Sequence, residues 1–325
     1  MRVLVTGATT PLGLRLVEAL LDTPAVERVL AVAAEDDPRN LPIGIPALTY
    51  RAVDLTRPRS VHDLLFGPAR ELGIDAVVHN ALHRSARHDG RRVHALNVEA
   101  TRQLLLECER HPTIRRFVLR SAAEVYAVRP LEPNLIDEDQ PLELDPAAPQ
   151  WVRDRVEADL TACSRMGMSR LAIVVLRCAE VLAPGMGSQL WDYVQSRVCL
   201  RPLGFDPMIN VLSFDDCVDA IVLALASHGQ GVFNIPGADT LPLRRIVAAF
   251  GRRDVPVPGP LLAPLYQLRT WTVGFEFRYD LNLQRFHFGG VVDGTRAQRE
   301  LGYRAHHRLA WPAGRRDLTA PASPS

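Results

Sequence analysis

Short runs of apolar, often β-branched residues alternate with stretches of helical periodicity along the first 180 residues of the chain. The first run, residues 2–6, is followed at residues 11–21 by apolar side chains at helical spacing. Further strands are predicted at 29–33, 48–53, 75–79, 116–120 and 171–177, and further helices at 60–72, 93–108 and 152–164. Strands that alternate with helices of this length form βαβ units, in which helices cover both faces of a parallel sheet. We therefore predict an α/β fold with a doubly wound parallel sheet.

The alternation becomes irregular after residue 180, and proline and glycine are frequent between residues 184 and 207. Helices at 215–227 and 243–250 and a strand at 232–235 are predicted beyond that stretch. We predict a sheet domain at 1–180, to which segments within 208–236 return, and a smaller C-terminal substrate domain at 181–312. The aromatic-rich stretch 258–288 is predicted to form a helical lid, and residues 313–325 a disordered tail.

Composition narrows the functions open to such a fold. All 38 basic residues are arginine, so the chain lacks the lysine that Schiff-base and Walker-type phosphate chemistry require. A net charge of +1 gives no basic excess for nucleic acid, and no apolar run reaches the roughly 18 residues of a membrane span. The five cysteines form no C-x-x-C pair, which favours reduced thiols. We expect a cytoplasmic protein that binds neither nucleic acid nor membranes.

The segment between the first strand and the first helix carries the strongest local motif, Val5-Thr6-Gly7-Ala8-Thr9-Thr10-Pro11-Leu12-Gly13. A glycine turn between a strand and a helix start presents free backbone N–H groups and the positive helix end to a pyrophosphate. Gly7 provides the tight turn, and Gly13 allows the helix to pack closely on the strand. The motif predicts that the sheet domain is a Rossmann-type domain that binds a dinucleotide.

The same residues resemble a known family. Thr6-Gly7-x-x-Thr10-x-x-Gly13 is similar to the T-G-x-x-G-x-x-G loop of the extended short-chain dehydrogenase/reductases, the NAD-dependent epimerase/dehydratase group. Further motifs that resemble this family lie at 53–55, 77–81, 97–101, 125–126, 176–181, 214–216 and 301–303. The resemblance implies NADH or NADPH as the cofactor. Thr10 stands where the family has its middle glycine, and we expect its side chain to crowd the pyrophosphate.

The resemblance also implies a set of cofactor-binding residues. They are Gly7, Thr9, Thr10, Pro11, Leu12, Arg39, Asp54, Leu55, Asn80, Ala81, Ser121 and Arg155. NAD-specific members resemble one another in an acid at the end of the second strand, where this chain has Ala33 and Ala34. Arg39 can reach a 2′-phosphate, whereas Glu35 repels one, so the choice between NADH and NADPH stays open.

The catalytic tetrad of the family is largely replaced. Family members resemble one another most in a Tyr-x-x-x-Lys pair with a serine or threonine before it and an asparagine as the fourth member. Trp151, Arg155 and Ala122 stand at the first three positions of this chain, and Asn97 alone is retained. The family's tyrosine exchanges a proton with the substrate, which neither tryptophan nor alanine can do. Arginine can hold a ribose but stays charged, so no acid–base catalysis of the usual kind is predicted.

Two functions remain open for such a site. The chain is either a catalytically silent dinucleotide-binding sensor or scaffold, or a reductase whose substrate supplies the proton from a phenol beside its ketone. The predicted substrate residues are Ala122, Tyr126, Trp151 and Trp271. Tyr126 is an alternative acid, although its place in a pocket-lining loop explains it more simply.

Aromatic residues favour the second function. The stretch 258–288 is either a lid over a large flat ligand or a core helix pair, and Trp151 offers a stacking face at the site itself. Together they favour an aromatic polyketide over a nucleotide sugar. An extended reductase without the tetrad resembles the angucyclinone ketoreductases of simocyclinone-type antibiotic pathways. That resemblance implies NAD(P)H-dependent reduction of a ring ketone.

Two histidine-containing segments receive weaker predictions. In residues 83–88, either His83 or Arg87 contacts the substrate or the segment is a solvated loop. His306 and His307 are adjacent, but no acid lies near them in sequence at ligand spacing. No metal site is therefore predicted.

Overall fold

The computed structural model describes residues 1–38, 40–83, 85–130, 132–274 and 276–311. Its strands are β1 Arg2–Thr6, β2 Arg28–Ala33, β3 Leu48–Ala52, β4 Ala76–His79, β5 Arg116–Ala122, β6 Leu135–Ile136, β7 Ala172–Cys178, β8 Glu180–Val181, β9 Val198–Pro202, β10 Met208–Leu212, β11 Gly231–Ile235, β12 Asp239–Pro242, β13 Arg253–Val257 and β14 Val291–Val292. The predicted tail, 313–325, lies outside the described residues.

The helices alternate with these strands in the first half of the chain. They are α1 Pro11–Leu21, α2 Pro58–Leu64, α3 Arg91–His94, α4 Ala100–Arg110, α5 Gln150–Arg165, α6 Gln189–Gln195, α7 Phe214–Ala226, α8 Leu243–Ala249, α9 Gly259–Val273, α10 Tyr279–Phe288 and α11 Thr295–Leu301. A π-helical turn, Leu65–Ala69, extends α2, and another, Ala95–Glu99, joins α3 to α4. The second of these turns contains Asn97.

Seven parallel strands form the central sheet, in the order β11-β7-β5-β4-β1-β2-β3. Val3 of β1, for example, pairs with Val29 on one side and with Ala76 on the other. The predicted α/β fold with a doubly wound parallel sheet is confirmed. β11 joins this sheet from the second half of the chain.

Alternate residues of the central strands enter different cores. In β1, Val3 and Val5 belong to the core on one face of the sheet, whereas Leu4 belongs to the core on the other face. This is why the strand sequences are continuously apolar rather than alternating. Both faces are covered by helices, so the functional groups are left at the carboxyl ends of the strands.

A third core, largely aromatic, lies in the smaller C-terminal region. Tyr193, Tyr266, Phe277 and Phe286 are all almost fully buried in it, beside the short sheet formed by β8, β10 and β12. α9 and α10 occupy the stretch predicted as a lid, and most of their aromatic side chains serve this core. Trp271 is the exception, with 84% of its surface exposed. The lid role itself stays a prediction.

Across the described part of the chain, no helix combines the length and the apolar character that crossing a lipid bilayer would require.

A buried ion pair fastens α5 to the centre of the sheet. The Arg177 guanidinium in β7 donates to both carboxylate oxygens of Asp159 in α5, at 2.7 and 3.1 Å. The Ser121 hydroxyl also donates to Asp159, and Arg177 donates to the Tyr126 hydroxyl at 3.0 Å. Although burial opposes it, the Asp159 carboxylate raises the pKa of Arg177. This network connects β5, β7 and α5 beneath the carboxyl edge of the sheet.

Removing one partner of this pair leaves a buried charge without compensation. We expect Arg177→Met to lower the free energy of unfolding by about 3–5 kcal/mol, because the fully buried Asp159 carboxylate would lose the guanidinium that compensates its charge. Chemical denaturation with urea measures the change. Arg102→Met is the matched control, because Arg102 binds Glu99 and Glu157 at the surface. Its expected cost is below about 1 kcal/mol, and similar losses in both variants would contradict the interpretation.

Candidate functional site

The loop between β1 and α1 has the geometry of a pyrophosphate cradle. Gly7 adopts a φ of +66°, and a Cβ atom there would lie 3.0 Å from the Ala81 backbone. A Cβ atom on Gly13 would lie 2.1 Å from the Gly7 carbonyl oxygen, so the helix can approach the strand only with glycine here. Both glycines are therefore required by the close approach of the backbone, as the sequence predicted.

Thr10 fits the backbone conformation of this loop, and its side chain forms hydrogen bonds across the loop. Its φ is −70°, a value that needs no glycine. The Thr10 hydroxyl donates to the Gly7 carbonyl oxygen at 2.7 Å and accepts from the Gly13 amide at 3.0 Å, which makes Thr10 the N-cap of α1. The Thr10 hydroxyl is thus turned toward the backbone of its own loop. This reduces the crowding of the pyrophosphate that was expected from a threonine in place of the family's middle glycine.

A cavity of about 660 Å³ lies over this loop, at the carboxyl ends of β1, β2 and β4. Six of the predicted cofactor residues line it: Gly7, Thr9, Thr10, Asp54, Leu55 and Ala81. Further lining residues are Ala33, Ala34, Glu35, Val53, Thr56, Leu82, His83, Ser85, His88, Arg92, Val93 and Leu96. The cavity and the glycine cradle at its floor fit a dinucleotide.

Other predicted cofactor residues lie behind this lining. Leu12 is fully buried in the core, and Pro11 occupies the first turn of α1. Asn80 supports the loop, because its side-chain amide donates a hydrogen bond to the Thr10 hydroxyl at 3.2 Å. The Ser121 hydroxyl is bonded to Asp159 in the buried network. Arg39 lies outside the described residues.

Two acidic side chains mark the end of the cavity beside β2 and β3. Glu35 accepts a hydrogen bond from the Thr9 hydroxyl at 2.9 Å. Asp54 accepts hydrogen bonds from the hydroxyl and the amide of Thr56, and the first of these is the main reason why its pKa is lowered. Asp54 is therefore ionised at neutral pH.

A second, smaller cavity continues past Leu82, which lines both cavities. Ala122 and Arg155, which the resemblance assigns to the family's serine and lysine positions, both line it. Burial lowers the pKa of Arg155 to about 10, so the guanidinium stays charged at neutral pH. The guanidinium carbon of Arg155, Cζ, lies 3.3 Å from the centre of the Trp151 ring. At this distance the contact is a cation–π interaction.

The positions of three predicted substrate residues differ from the expectation. Trp151 is 5% exposed and its ring is covered by Arg155, so it does not offer the stacking face that we predicted. Tyr126 is buried and donates to the Asn234 side chain at 2.7 Å, and burial raises its pKa to about 12. Trp271 lines a separate surface groove with Tyr266. These positions depend on long-range packing, which the local sequence does not encode.

Glu124 and Glu180 line the smaller cavity, and Arg285 lies close to both of them. Glu180 accepts from the Leu190 amide at 2.6 Å, from the Ser188 hydroxyl at 2.8 Å and from Arg285 at 2.7 Å. Although burial alone would raise it, Arg285 lowers the pKa of Glu180, together with those hydrogen bonds. Arg285 also lies 3.7 Å from Glu124. Sequence analysis missed this cluster, since α10 brings Arg285 from more than 100 residues away.

Asn97 anchors the loop between β4 and α3, part of which lines the larger cavity. The Asn97 side chain accepts a hydrogen bond from the His83 amide at 2.8 Å. The loop at 85–89 is then held by the residues between α9 and α10. Ser85 donates to Glu276 at 3.0 Å, and Arg278 donates to the Ala86 carbonyl oxygen at 3.0 Å.

Arg87 also contacts the segment between α9 and α10 and does not line the larger cavity. It donates to the Gly274 carbonyl oxygen at 3.1 Å and to Glu276 at 3.3 Å. Of the two residues predicted as alternative substrate contacts, His83 lines the larger cavity and Arg87 does not. His88, which was not singled out, lies in the lining and is 3.3 Å from His83.

Comparison with known proteins places these features in a family. The model of the NAD dependent epimerase/dehydratase family matches residues 3–235. An uncharacterized protein of Mycobacterium tuberculosis is 30% identical over 308 residues, which cover 93% of this chain and 79% of that protein. A Streptomyces protein named 3-diazoavenalumate denitrifying reductase is 30% identical over 318 residues, which cover 94% of this chain and 97% of the relative.

Solved structures agree on the fold. The dTDP-glucose 4,6-dehydratase of Streptomyces venezuelae, solved with NAD bound, superposes with a TM-score of 0.70 at 23% identity. The match covers 96% of this chain and 95% of that one. The predicted cofactor, a nicotinamide dinucleotide, is confirmed by the family, which is NAD dependent. The chain belongs to the NAD-dependent epimerase/dehydratase family of extended short-chain dehydrogenase/reductases.

Proposed function

We propose that the chain is an NAD(P)H-dependent reductase of an aromatic substrate, and that the protein supplies no proton to the reaction. One observation carries the proposal. The cavity at the nicotinamide end is lined by Ala122 and a permanently charged Arg155, where the family's proton-exchanging groups would stand. The bound dinucleotide supplies a hydride. Arg155, with its guanidinium fixed on Trp151, holds a positive charge at the site without exchanging a proton.

Two other ionisable groups, Glu180 and Tyr126, are also poorly suited as acids. Glu180 is held ionised by Arg285, and its carboxylate already accepts three hydrogen bonds. The Tyr126 phenol lies in the buried network under the sheet edge and donates to Asn234. Substrates that can be reduced without a protein acid are therefore favoured.

The first such substrate class is an aromatic ketone of the angucyclinone polyketide type. Reduction of a ketone places a hydride on carbon and a proton on oxygen. A phenol beside the ketone provides that proton within the substrate, and water later restores it to the phenolate. Because neither Trp151 nor Trp271 offers a stacking face in the cavity, this candidate depends on the proton chemistry rather than on aromatic contacts.

A second class is favoured by the Streptomyces relative, whose name gives a diazo acid as the substrate and loss of nitrogen as the outcome. An aryldiazonium ion that accepts a hydride loses its carbon–nitrogen bond and becomes an arene plus dinitrogen. That reaction balances without any added proton. It therefore fits a site in which alanine and tryptophan replace the acid–base residues.

Glu35 points to NADH as the preferred cofactor. Its carboxylate lines the larger cavity next to Thr9, at the end of β2 where a 2′-phosphate of NADPH would approach. The Glu35 carboxylate and a 2′-phosphate are both negatively charged, so they would repel each other. The Asp54 carboxylate in the same lining adds to the negative potential.

The reductase proposal is tested by oxidation of reduced nicotinamide in the presence of the two substrate classes. We expect turnover of a polycyclic ketone with an adjacent phenol, and a rate about 100-fold lower with its O-methyl ether, which has lost the proton donor. An aryldiazonium acid is the second arm, in which one dinitrogen is released per nicotinamide oxidised. Absence of turnover in both arms, with tight cofactor binding by calorimetry, would instead indicate a catalytically silent dinucleotide-binding sensor or scaffold.

The source of the proton is tested by Tyr126→Phe. We expect turnover within about twofold of the unchanged protein, because the phenol does not reach the cavity, and a loss of about 1–3 kcal/mol in stability from the unpaired Asn234. Steady-state kinetics and urea denaturation measure the two effects. Loss of turnover with intact cofactor binding would show that the protein supplies the proton.

The cofactor preference is tested by Glu35→Gln. We expect the unchanged protein to bind NADH at least about tenfold more tightly than NADPH, and the variant to lose most of this difference. Calorimetric titration with each dinucleotide gives the ratio. Asp36→Asn is the control, because Asp36 is exposed in the same loop and does not line the cavity. An equal change in both variants would mean that overall charge, rather than Glu35, sets the preference.

A further inference from the structure

Four potential metal ligands meet on the outer surface of the sheet domain, away from the cofactor cavity. The His307 Nε2 atom lies 3.3 Å from a carboxylate oxygen of Asp219, and the His306 Nε2 atom lies 3.8 Å from the same oxygen. The His306 Nδ1 atom is 3.7 Å from Asp216. One ligand atom from each of the four residues can be chosen so that all lie within 4.8 Å of one another. The acids that are missing from the local sequence are supplied by α7, about 90 residues earlier.

The buried carboxylate of Asp216 arranges this cluster. It accepts hydrogen bonds from the His306 and His307 amides, each at 3.1 Å, and it is fully buried. Neighbouring side chains of an extended segment normally point in opposite directions. Here the two imidazole rings lie on one side, with their centres 4.0 Å apart, and both reach Asp219. The backbone is therefore shaped so that two imidazoles converge on one carboxylate.

The hydrogen bond of His306 leaves its other nitrogen available to a metal. The His306 Nδ1 atom lies 2.9 Å from the Arg304 carbonyl oxygen. A carbonyl oxygen can only accept, so Nδ1 carries the hydrogen and Nε2 of the neutral ring has a free lone pair. This lone pair points toward the Asp219 carboxylate, which is itself an acceptor. Either a proton on Nε2 or a metal cation can occupy the space between these two acceptors, and a backbone hydrogen bond at Nδ1 is the usual arrangement for a histidine that binds metal through Nε2.

We propose that His306, His307, Asp219 and Asp216 form a binding site for a divalent transition metal of the zinc type. Two imidazole nitrogens and two carboxylate oxygens are a donor set that suits tetrahedral Zn²⁺. Mg²⁺ and Ca²⁺ prefer oxygen ligands, so they fit this set poorly. The ligand atoms lie within 4.8 Å of one another, and side-chain rotations must bring them closer together to form zinc bonds of about 2.0–2.2 Å.

The location gives the metal a structural role. The segment that follows α11 runs from the sheet domain to the smaller region and is attached at both ends. The Tyr303 hydroxyl donates to the Pro236 carbonyl oxygen at 2.6 Å, and the Leu309 amide donates to Asp239 at 2.8 Å. Trp311 packs edge-on against Phe250 of the aromatic core. A metal at His306 and His307 fixes the middle of this segment to α7.

The test uses the full chain without a histidine tag, stripped of metal by a chelator. Calorimetry with Zn²⁺ is expected to show one site, and Co²⁺ is expected to give the visible absorption bands of a tetrahedral complex. Zinc at about 100-fold above its dissociation constant is expected to raise the Tm by about 2–5 °C. Mg²⁺ is expected to have no effect. Absence of zinc binding would mean that the cluster holds ion pairs only, and an equal response to Mg²⁺ would exclude the imidazoles as ligands.

Variants at the surface of the cluster connect the binding to these residues. His307→Ala and Asp219→Asn are expected to weaken zinc binding at least about tenfold and to abolish the rise in Tm, while the metal-free proteins stay folded. His228→Ala, at an exposed histidine just beyond α7, is the matched control and is expected to retain both. Unchanged zinc binding in His307→Ala or Asp219→Asn would overturn the proposal.

Discussion

The ion pair between Arg177 and Asp159 determines how the functional edge of the sheet is built. Both charges are buried and bonded through two hydrogen bonds, an arrangement that tolerates little displacement because either charge alone would be strongly unfavourable. Asp159 lies one helical turn after Arg155 in α5. The position of Arg155 at the cavity, and of Trp151 one turn earlier, therefore follows from the way in which α5 is attached to β7.

The same network determines which hydroxyl groups are available for chemistry. Ser121 and Tyr126 are close to the site in sequence, yet both are bonded into the network around Arg177 and Asp159. On the cavity side, the Arg155 guanidinium lies over the Trp151 ring. The result is a site lined by the charged groups of Arg120, Glu124, Arg155 and Glu180, with no tyrosine or lysine among its described lining residues. Such a site can orient an acceptor for hydride while leaving the proton balance to the substrate.

Features that depend on interactions between residues close in sequence were predictable, whereas features that depend on contacts between distant segments were not. Hydrophobic periodicity is local, so the strands of the central sheet and the bounds of α1 agree with the prediction to within two residues. The roles of Gly7 and Gly13 depend on a short loop and were also predictable. By contrast, the environment of Trp151 depends on a rotamer of Arg155, and that of Trp271 on how α9 packs. The convergence of His306 and His307 on α7 depends on a contact between segments 90 residues apart, which no local pattern contains.

The charges that join the two regions limit how the site can open. Arg285 of α10 lies between Glu124 and Glu180, and its withdrawal would leave the buried Glu180 carboxylate without its cation. α10 is therefore held firmly against Glu124 and Glu180, which line the smaller cavity. The contacts of Glu276 and Arg278 with the loop at 85–89 are more exposed and individually weaker. Movement of that loop therefore costs less than withdrawal of α10, and Arg87 and Asp89 of the loop line the surface groove that contains Trp271.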